Sequence, residues 1–317
     1  MTLITLIISL MTLLWAANHL VTGASGIAGY YRISPLIIGL TLVSLGASAP
    51  AIMVGITAAI EGNNEIALGN AIGANIANIG LVLSLTILLR PLTLNSSLLR
   101  REYPLLFLVM LFTYSLMLNG HLSVIDGCLF LIGCIALISY FVHLARHSKN
   151  DPMSKEFKQS INIKRPMRES LISVIIGLTI LPLSAHFLVK SAVHFAAWIG
   201  MSELVMGLTF IAMGTSLPNL ATSIVAAFKG QDDIAVGNIL GSNMFNLLIV
   251  MSFPGLINPS TINHHLLWRD IPVMFIMTLI LLLINHQYKK KIARWHGGLL
   301  LLIYGCYIVS LLFNAAV

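Results

Sequence analysis

One stretch of this sequence is written twice. Residues Gly39 to Val82 read GLTLVSLGASAPAIMVGITAAIEGNNEIALGNAIGANIANIGLV, and Gly207 to Val250 read GLTFIAMGTSLPNLATSIVAAFKGQDDIAVGNILGSNMFNLLIV. The two align without a gap at an offset of 168, with 18 of 44 positions identical. The shared residues include Gly46/Gly214, Ser48/Ser216, Pro50/Pro218, Gly62/Gly230, Asn70/Asn238, Gly73/Gly241, Asn75/Asn243 and Asn78/Asn246. Chance likeness between apolar segments would match Leu and Val, not this pattern of Gly, Pro and Asn. The chain is therefore read first as two homologous halves.

The solvent of those halves is lipid. Of 317 residues, 57% are hydrophobic and only 9% charged, where a soluble domain carries about 25%. Continuous apolar runs, not short alternating segments, argue for helices and against a β-barrel. Ten spans are expected, at roughly 2–24, 34–60, 65–89, 103–119, 122–145, 169–194, 203–228, 233–257, 268–286 and 296–315, each about long enough to cross a bilayer. The expected fold class is thus an all-α membrane protein. Residues 1–146 form a first five-helix repeat around the core 39–83, 147–168 a polar linker, and 169–317 a second repeat around 207–251. Cys128, Cys134 and Cys306 lie inside apolar runs and read as buried small hydrophobes. The N-terminal run lacks a basic leader and reads as the first span, not a signal peptide.

Five spans per half is an odd number, so the second half enters from the opposite face. Homologous halves of this kind are inverted repeats, an architecture of many secondary transporters. The net charge of +7 could suggest nucleic acid, but the basic residues lie between apolar runs. With the N-terminus placed on one face, 16 of the 18 Lys and Arg fall on the other, Lys190 and Arg269 excepted. The positive-inside rule then makes the linker cytoplasmic and puts both termini outside, in a bacterial inner membrane. The partners expected are the lipid bilayer and transported ions, with no nucleic acid and no protein partner specified.

Pro50 and Pro218 sit mid-span, preceded by Gly46 and Gly214. Proline removes a helix hydrogen bond and clashes with the preceding turn, so helices 2 and 7 are expected to be broken or kinked. Paired interruptions at matching positions of two repeats point to a transport site, although each alone could be a packing kink. The spacings Gly69/Gly73 and Gly237/Gly241 allow close helix approach. Asn70, Asn75, Asn78, Asn238, Asn243 and Asn246 need polar partners at that depth. A single such Asn is more often structural glue than a ligand.

These two segments resemble the α-repeats of the sodium/calcium exchanger superfamily, especially its bacterial ten-helix members. The resemblance implies a cation/calcium antiporter, in which substrate and coupling ions share a midplane site. It implies no enzyme activity and no organic cofactor. Carried over residue by residue, the family's ligand positions fall on Ser48, Asn78, Thr215, Ser216, Asn219, Ser242 and Asn246, with backbone carbonyls near Ser44 and Ala212. The family's repeats carry Glu after Pro, as in GTSLPE; here those positions are Ala51 and Asn219. Ala74 replaces a family Ser.

The inferred site therefore has no carboxylate. Glu61, Glu65, Asp232 and Asp233 read as caps of the hairpin loops. Glu102, Asp151, Glu156, Glu169 and Asp270 read as loop or span-end residues, and Asp126 and Glu203 as caps near span starts. Calcium takes six to eight oxygens, with carboxylates supplying charge. Among neutral amides and hydroxyls its desolvation would be poorly compensated. Three readings stay open: sodium or another monovalent cation bound at these positions, a different and anionic solute, or a non-transporting scaffold homologue. A sealed centre closed by Asn–Asn bonds would favour the scaffold, and a water-accessible polar cavity the carrier.

Overall fold

The structure, a computed structural model, describes residues 3–31, 35–93, 99–147, 166–198, 205, 207–285 and 291–315. Most of the polar linker, 148–165, lies outside the described residues, as do Glu203, Asp151 and Glu156.

The helices follow the apolar runs. In chain order they are α1 (Leu3–Tyr31), α2 (Leu36–Ile60), α3 (Asn64–Leu89), α4 (Leu99–Met117), α5 (Val124–His147), α6 (Met167–Trp198), α7, α8 (Asp232–Ile257), α9 (Leu266–Ile284) and α10 (Arg294–Ala315). The seventh is assembled from pieces: Gly207–Ile211, Ala212–Thr215 and Leu217–Phe228. Among the described residues, seven helices are long and apolar enough to cross a membrane, and Glu102–Met117 is a shorter apolar helix. Such runs become helices because lipid offers the backbone no hydrogen-bond partner.

The packing is inverted relative to a soluble protein. Ile132, Ile135, Leu302 and Phe313 face outward at 60 to 72% exposure, while asparagines fill the centre at 0 to 2%. The two hairpin second helices are the most enclosed, with 94% of the α8 window buried against 28% of α10. α1 lies along α6, and small residues let them touch: a Cβ on Gly177 would stand 2.6 Å from that of Leu20.

Irregular turns recur at matching places. Both hairpins open on π-helical segments, Gly39–Val43 and Gly207–Ile211, and their second helices carry Asn78–Leu83 and Asn246–Val250. A π turn inserts a residue into the helix ladder and often marks a functional region. Each hairpin reverses at a glycine in the left-handed region, Gly62 (φ 82°) and Gly230 (φ 75°), a conformation that a Cβ disfavours.

The two prolines behave differently. α7 is interrupted at Ser216, whose φ and ψ are −85° and −6°, so Pro218 falls in the first turn of Leu217–Phe228. Its missing N–H costs little there. Pro50 instead sits inside the uninterrupted helix Ser44–Ile60. The expected break in helix 2 is thus not at the proline; the irregularity lies about two to three turns upstream, in Gly39–Val43. Beyond that, Thr215 donates across to Asn70 Oδ1 at 2.9 Å, a contact that Ala47 at the matching position cannot make.

Two short brackets tie the halves together. β1 (Leu92–Thr93), leaving α3, pairs antiparallel with β4 (Lys291–Ile292), entering α10. β2 (His121–Leu122), entering α5, pairs antiparallel with β3 (Ser260–Thr261), leaving α8. These are the same bracket with the halves exchanged. Beside the first, Asp232 accepts from Arg90 at 3.1 Å and from the amide and hydroxyl of Thr93 at 2.8 and 2.9 Å. Beside the second, Asn64, which matches Asp232 at the offset, donates to the Asn258 carbonyl and to Ser260 Oγ. Asp232 thus braces two halves and does not cap its own helix. Asp126 does cap: it accepts from the amide and hydroxyl of Ser123 at 2.8 and 2.6 Å.

Candidate ion site

The site forms where the hairpins cross, and glycine sets how closely they cross. A Cβ on Gly241 would stand 2.5 Å from the Leu40 carbonyl oxygen and 2.5 Å from Ser44 Oγ. One on Gly73, its partner in the repeat, would stand 2.7 Å from the Leu208 carbonyl oxygen. Each hairpin's second helix is therefore pressed against the π-helical start of the other hairpin. The side chains one turn further along are brought into the middle.

Within each hairpin one asparagine ties the two helices. Asn70 Nδ2 donates to the Ala51 carbonyl at 3.2 Å, and Asn238 Nδ2 to the Asn219 carbonyl at 3.3 Å. Asn238 also donates to Thr222 Oγ1 at 2.9 Å and Ser223 Oγ at 3.1 Å. Ala51 thus still contributes its carbonyl, though its side chain is only a methyl. Thr222 and Ser223 were absent from the sequence reading, because only the spacing to Asn238 across the turn would have revealed them.

Between the hairpins runs a line of amides. Ser242 Oγ donates to Asn219 Oδ1 at 2.8 Å, Asn219 Nδ2 to Asn78 Oδ1 at 3.3 Å, and Asn78 Nδ2 to Asn243 Oδ1 at 2.9 Å. Asn243 Nδ2 then reaches the Asn75 carbonyl at 3.5 Å, and Ser242 Oγ lies 3.3 Å from the Ser44 carbonyl. The expected residues Asn78, Asn219 and Ser242 are thus joined in one hydrogen-bonded line with Asn243 and the Asn75 carbonyl, and Asn238 braces Asn219. Thr215 stands apart from the line, bonded to Asn70 Oδ1 and to the Ala212 carbonyl. Ala74, where the family has Ser, is buried and adds no polar group.

Ser48, Ser216 and Asn246 are different. They are 1% exposed, yet Ser48 Oγ, Ser216 Oγ and Asn246 Oδ1 have no hydrogen-bond partner, and neither do Asn75 Oδ1 and Asn238 Oδ1. Ser216 stands at the N-cap of its helix piece without capping it. Unmatched buried oxygens are uncommon and call for a cause. A cation takes oxygen ligands of this kind, amide, hydroxyl and backbone carbonyl alike. No group of three or more His, Cys, Asp or Glu that could hold a metal occurs among the described residues.

Among the described residues the carboxylates lie outside this line, and five of them, Glu102, Asp126, Asp232, Asp233 and Asp270, are buried. Glu102 and Asp270, read from sequence as loop or span-end residues, are both 0% exposed. Asp270 accepts from Arg269 Nε at 2.7 Å, Arg269 Nη2 at 3.1 Å and Tyr307 Oη at 3.0 Å. The two are partners at the 168 offset, within Arg101-Glu102-Tyr103-Pro104 and Arg269-Asp270-Ile271-Pro272. That shared pattern outside the hairpins was the signal available. A separate cavity of about 400 Å³, lined by Leu105, Leu108, Val109, Phe112 and Leu137 among others, is apolar and suits no ion.

A largely helical membrane protein with a buried polar centre at two repeated hairpins has the architecture of many secondary transporters. The chain is, more particularly, a member of the sodium/calcium exchanger protein family, whose sequence model matches residues 1–144 and 169–313. It is 42% identical to the putative antiporter CaxA of Alkalimonas amylolytica, over 94% of each chain. It is 38% identical to the inner membrane protein YrbG of Escherichia coli K12, over 93% of this chain and 92% of that one. The solved sodium-calcium exchanger NCX_Mj, soaked with sodium and calcium ions, superposes with a TM-score of 0.80 at 29% identity, covering 98% of this chain and 99% of that one.

Proposed function

We propose that this chain is a secondary transporter that moves cations by alternating access through the site at Ser48, Asn78, Thr215, Ser216, Asn219, Ser242 and Asn246. The observation that carries this reading is the set of buried oxygens without partners, Ser48 Oγ, Ser216 Oγ and Asn246 Oδ1 foremost. They lie in the two repeated segments, and Ser48 and Ser216 are matched residues. The architecture proposed with it is ten spans in two inverted repeats. The linker is cytoplasmic, both termini are outside, and the membrane is a bacterial inner membrane. The exchange of hairpin brackets between halves, β1 with β4 and β3 with β2, supports the inverted relation.

The cargo we favour is a monovalent cation. The family resemblance puts glutamates at positions 51 and 219, where this chain has Ala and Asn. Neutral oxygens can replace the hydration shell of a singly charged ion far more readily than that of calcium. The names of the relatives keep calcium in the test, and the Asn–Asn bonds keep the non-transporting reading in it.

Flux into proteoliposomes, with calcium, sodium, potassium and proton gradients applied separately, is the deciding experiment. Sodium or potassium flux without calcium uptake is the expected result. Strong sodium-driven calcium uptake overturns the monovalent assignment, and no flux of any cation overturns the carrier reading in favour of the scaffold. Ala51→Glu combined with Asn219→Glu is expected to raise calcium binding if position and charge are the whole difference.

A further inference from the structure

The two repeats make the same seam twice, and the two seams differ. Between α3 and α7, the Thr215 hydroxyl donates to Asn70 Oδ1 at 2.9 Å and Asn219 Nδ2 donates to Asn78 Oδ1 at 3.3 Å. Both α3 oxygens are satisfied by donors on α7. The matching seam lies between α8 and α2. There the asparagines are Asn238 and Asn246, and the matching donor positions are Ala47 and Ala51. A methyl group donates nothing, and Asn238 Oδ1 and Asn246 Oδ1 have no hydrogen-bond partner. The two unmatched oxygens of α8 thus share one cause, alanine at two positions of α2. Ser48 and Ser216 are unpartnered alike and do not distinguish the seams; these asparagines do.

Asn238 cannot turn its amide round to find a partner. Its Nδ2 faces Thr222 Oγ1 at 2.9 Å, Ser223 Oγ at 3.1 Å and the Asn219 carbonyl at 3.3 Å. Both hydroxyls already give their hydrogens to carbonyls. Thr222 donates to Pro218 and Asn219 at 2.8 and 3.1 Å, and Ser223 to Ala235 at 3.3 Å. All three neighbours therefore only accept, which fixes the nitrogen toward them. Oδ1 is held on the opposite side of the amide from these α7 groups, in a residue 0% exposed.

Asn238, Ser242 and Asn246 are four residues apart. They share one face of α8 and climb it in steps of about 6 Å. The middle one reaches α2: Ser242 Oγ lies 3.3 Å from the Ser44 carbonyl, and Ser48 Oγ, one turn further along α2, is unpartnered. The matching row on α3 is Asn70, Ala74 and Asn78. It lacks the central hydroxyl, and its two amide oxygens are already taken. A cation needs several oxygens at once, and of the two rows the one on α8 has them to offer.

We propose that Asn238 is a cation ligand through Oδ1, so that the ion's path through the centre follows α8 from Asn246 past Ser242 to Asn238, on the side of α2. The proposal rests on the carrier reading above and adds to its site a residue otherwise assigned to bracing the hairpin. The two ends of one side chain divide the work: Nδ2 holds α8 to α7, and Oδ1 meets the ion. Exchange is served by the same row, since the incoming and outgoing cations use one set of oxygens in turn.

Ala47→Thr tests this, because it puts on α2 the hydroxyl that Thr215 carries on α7 and so gives Asn238 Oδ1 a donor. Purified full-length protein is placed in vesicles preloaded with sodium or potassium, and exchange is followed with tracer sodium, or with rubidium as a potassium tracer. The cation concentration that half-saturates exchange should rise about tenfold or more, the scale of one lost contact to a charge. The unfolding temperature in N-methylglucamine should stay the same or rise, while the further rise that sodium or potassium produces should shrink. Half-saturation that is unchanged or lowered, in a variant that still exchanges, overturns the proposal and leaves the carrier reading standing. A second measurement needs no variant. In crystals of the native chain soaked in a rubidium or thallous salt, an anomalous-scattering peak is expected within coordinating distance of Asn238 Oδ1. Peaks at Ser242, Asn246 or Ser48 with none at Asn238 overturn the proposal alone. No cation exchange and no peak overturn the carrier reading with it.

Discussion

Asn70 and Asn238, 168 residues apart, do the same thing: each donates its amide to the carbonyl nineteen residues earlier, Ala51 O at 3.2 Å and Asn219 O at 3.3 Å. They hold the two arms of each hairpin at a fixed separation, so that the π-helical starts can meet the opposite hairpin. Replacing Asn70 with Leu should leave the Ala51 carbonyl and Thr215 hydroxyl without that partner, at a cost of about 1–3 kcal/mol. Asn238→Leu should cost at least as much, because Thr222 and Ser223 lose a donor as well. Unfolding temperatures in detergent check both, and a loss at Asn70 alone would show that the two hairpins are not braced alike.

Close approach at the crossing should be intolerant of a single methyl. Gly241→Ala places a Cβ 2.5 Å from Leu40 O and from Ser44 Oγ, and Gly73→Ala places one 2.7 Å from Leu208 O. Backbone oxygen cannot move aside, so each should destabilise by about 1–3 kcal/mol or more, as overpacking does. Gly298→Ala, in α10 with nothing within 4 Å, should be neutral or stabilising by about 0.5–1 kcal/mol. Thermal unfolding of the three variants side by side separates crowding from helix propensity.

The buried acid of α9 is held by its partners rather than by water. Arg269→Met alone should be destabilising by roughly 3–5 kcal/mol, since it leaves the Asp270 carboxylate buried against one Tyr307 hydroxyl. Arg269→Met together with Asp270→Leu should recover most of that loss, because replacing a whole buried pair with apolar groups is often near neutral. A double-mutant cycle on unfolding temperature measures the coupling. Independent, additive losses would mean that the pair is not energetically joined.

Much of the fold was legible in the sequence because lipid enforces it. Continuous apolar runs must be helices, and polar residues inside them, such as Asn70 and Asn238, stand out against that background. The helix starts and ends near the expected boundaries follow from the same rule. The partners of the site residues were not legible. Which oxygen Asn219 faces depends on the register between two hairpins from different halves, and that register is set by contacts at Gly73 and Gly241. Pro50 and Pro218 look alike in sequence, but only α7 opens at Ser216, beside a Thr215 hydroxyl bonded across to Asn70. Glu102 and Asp270 read as loop or span-end residues, and they do sit near span starts; the burial of Asp270 depends on neighbours such as Tyr307, far along the chain.

Residues that serve the ion and residues that serve the fold should respond oppositely to the same substitution. Ser48 Oγ and Ser216 Oγ are buried and accept or donate no hydrogen bond, so neither contributes one to stability. Ser48→Ala and Ser216→Ala each remove a polar atom that is buried without a partner. Each should leave the unfolding temperature unchanged or raise it, since the cost of such an atom is about 1–3 kcal/mol. If the hydroxyls are ligands, each change should also weaken cation flux by about tenfold or more, the scale of a lost contact to a charge. Thr222→Val, which removes a hydroxyl that accepts from Asn238, should do the reverse, lowering stability with a smaller effect on flux. Flux in proteoliposomes measured beside thermal unfolding distinguishes the two groups. Serine variants that lose stability along with flux would place Ser48 and Ser216 among the structural residues and remove them from the site.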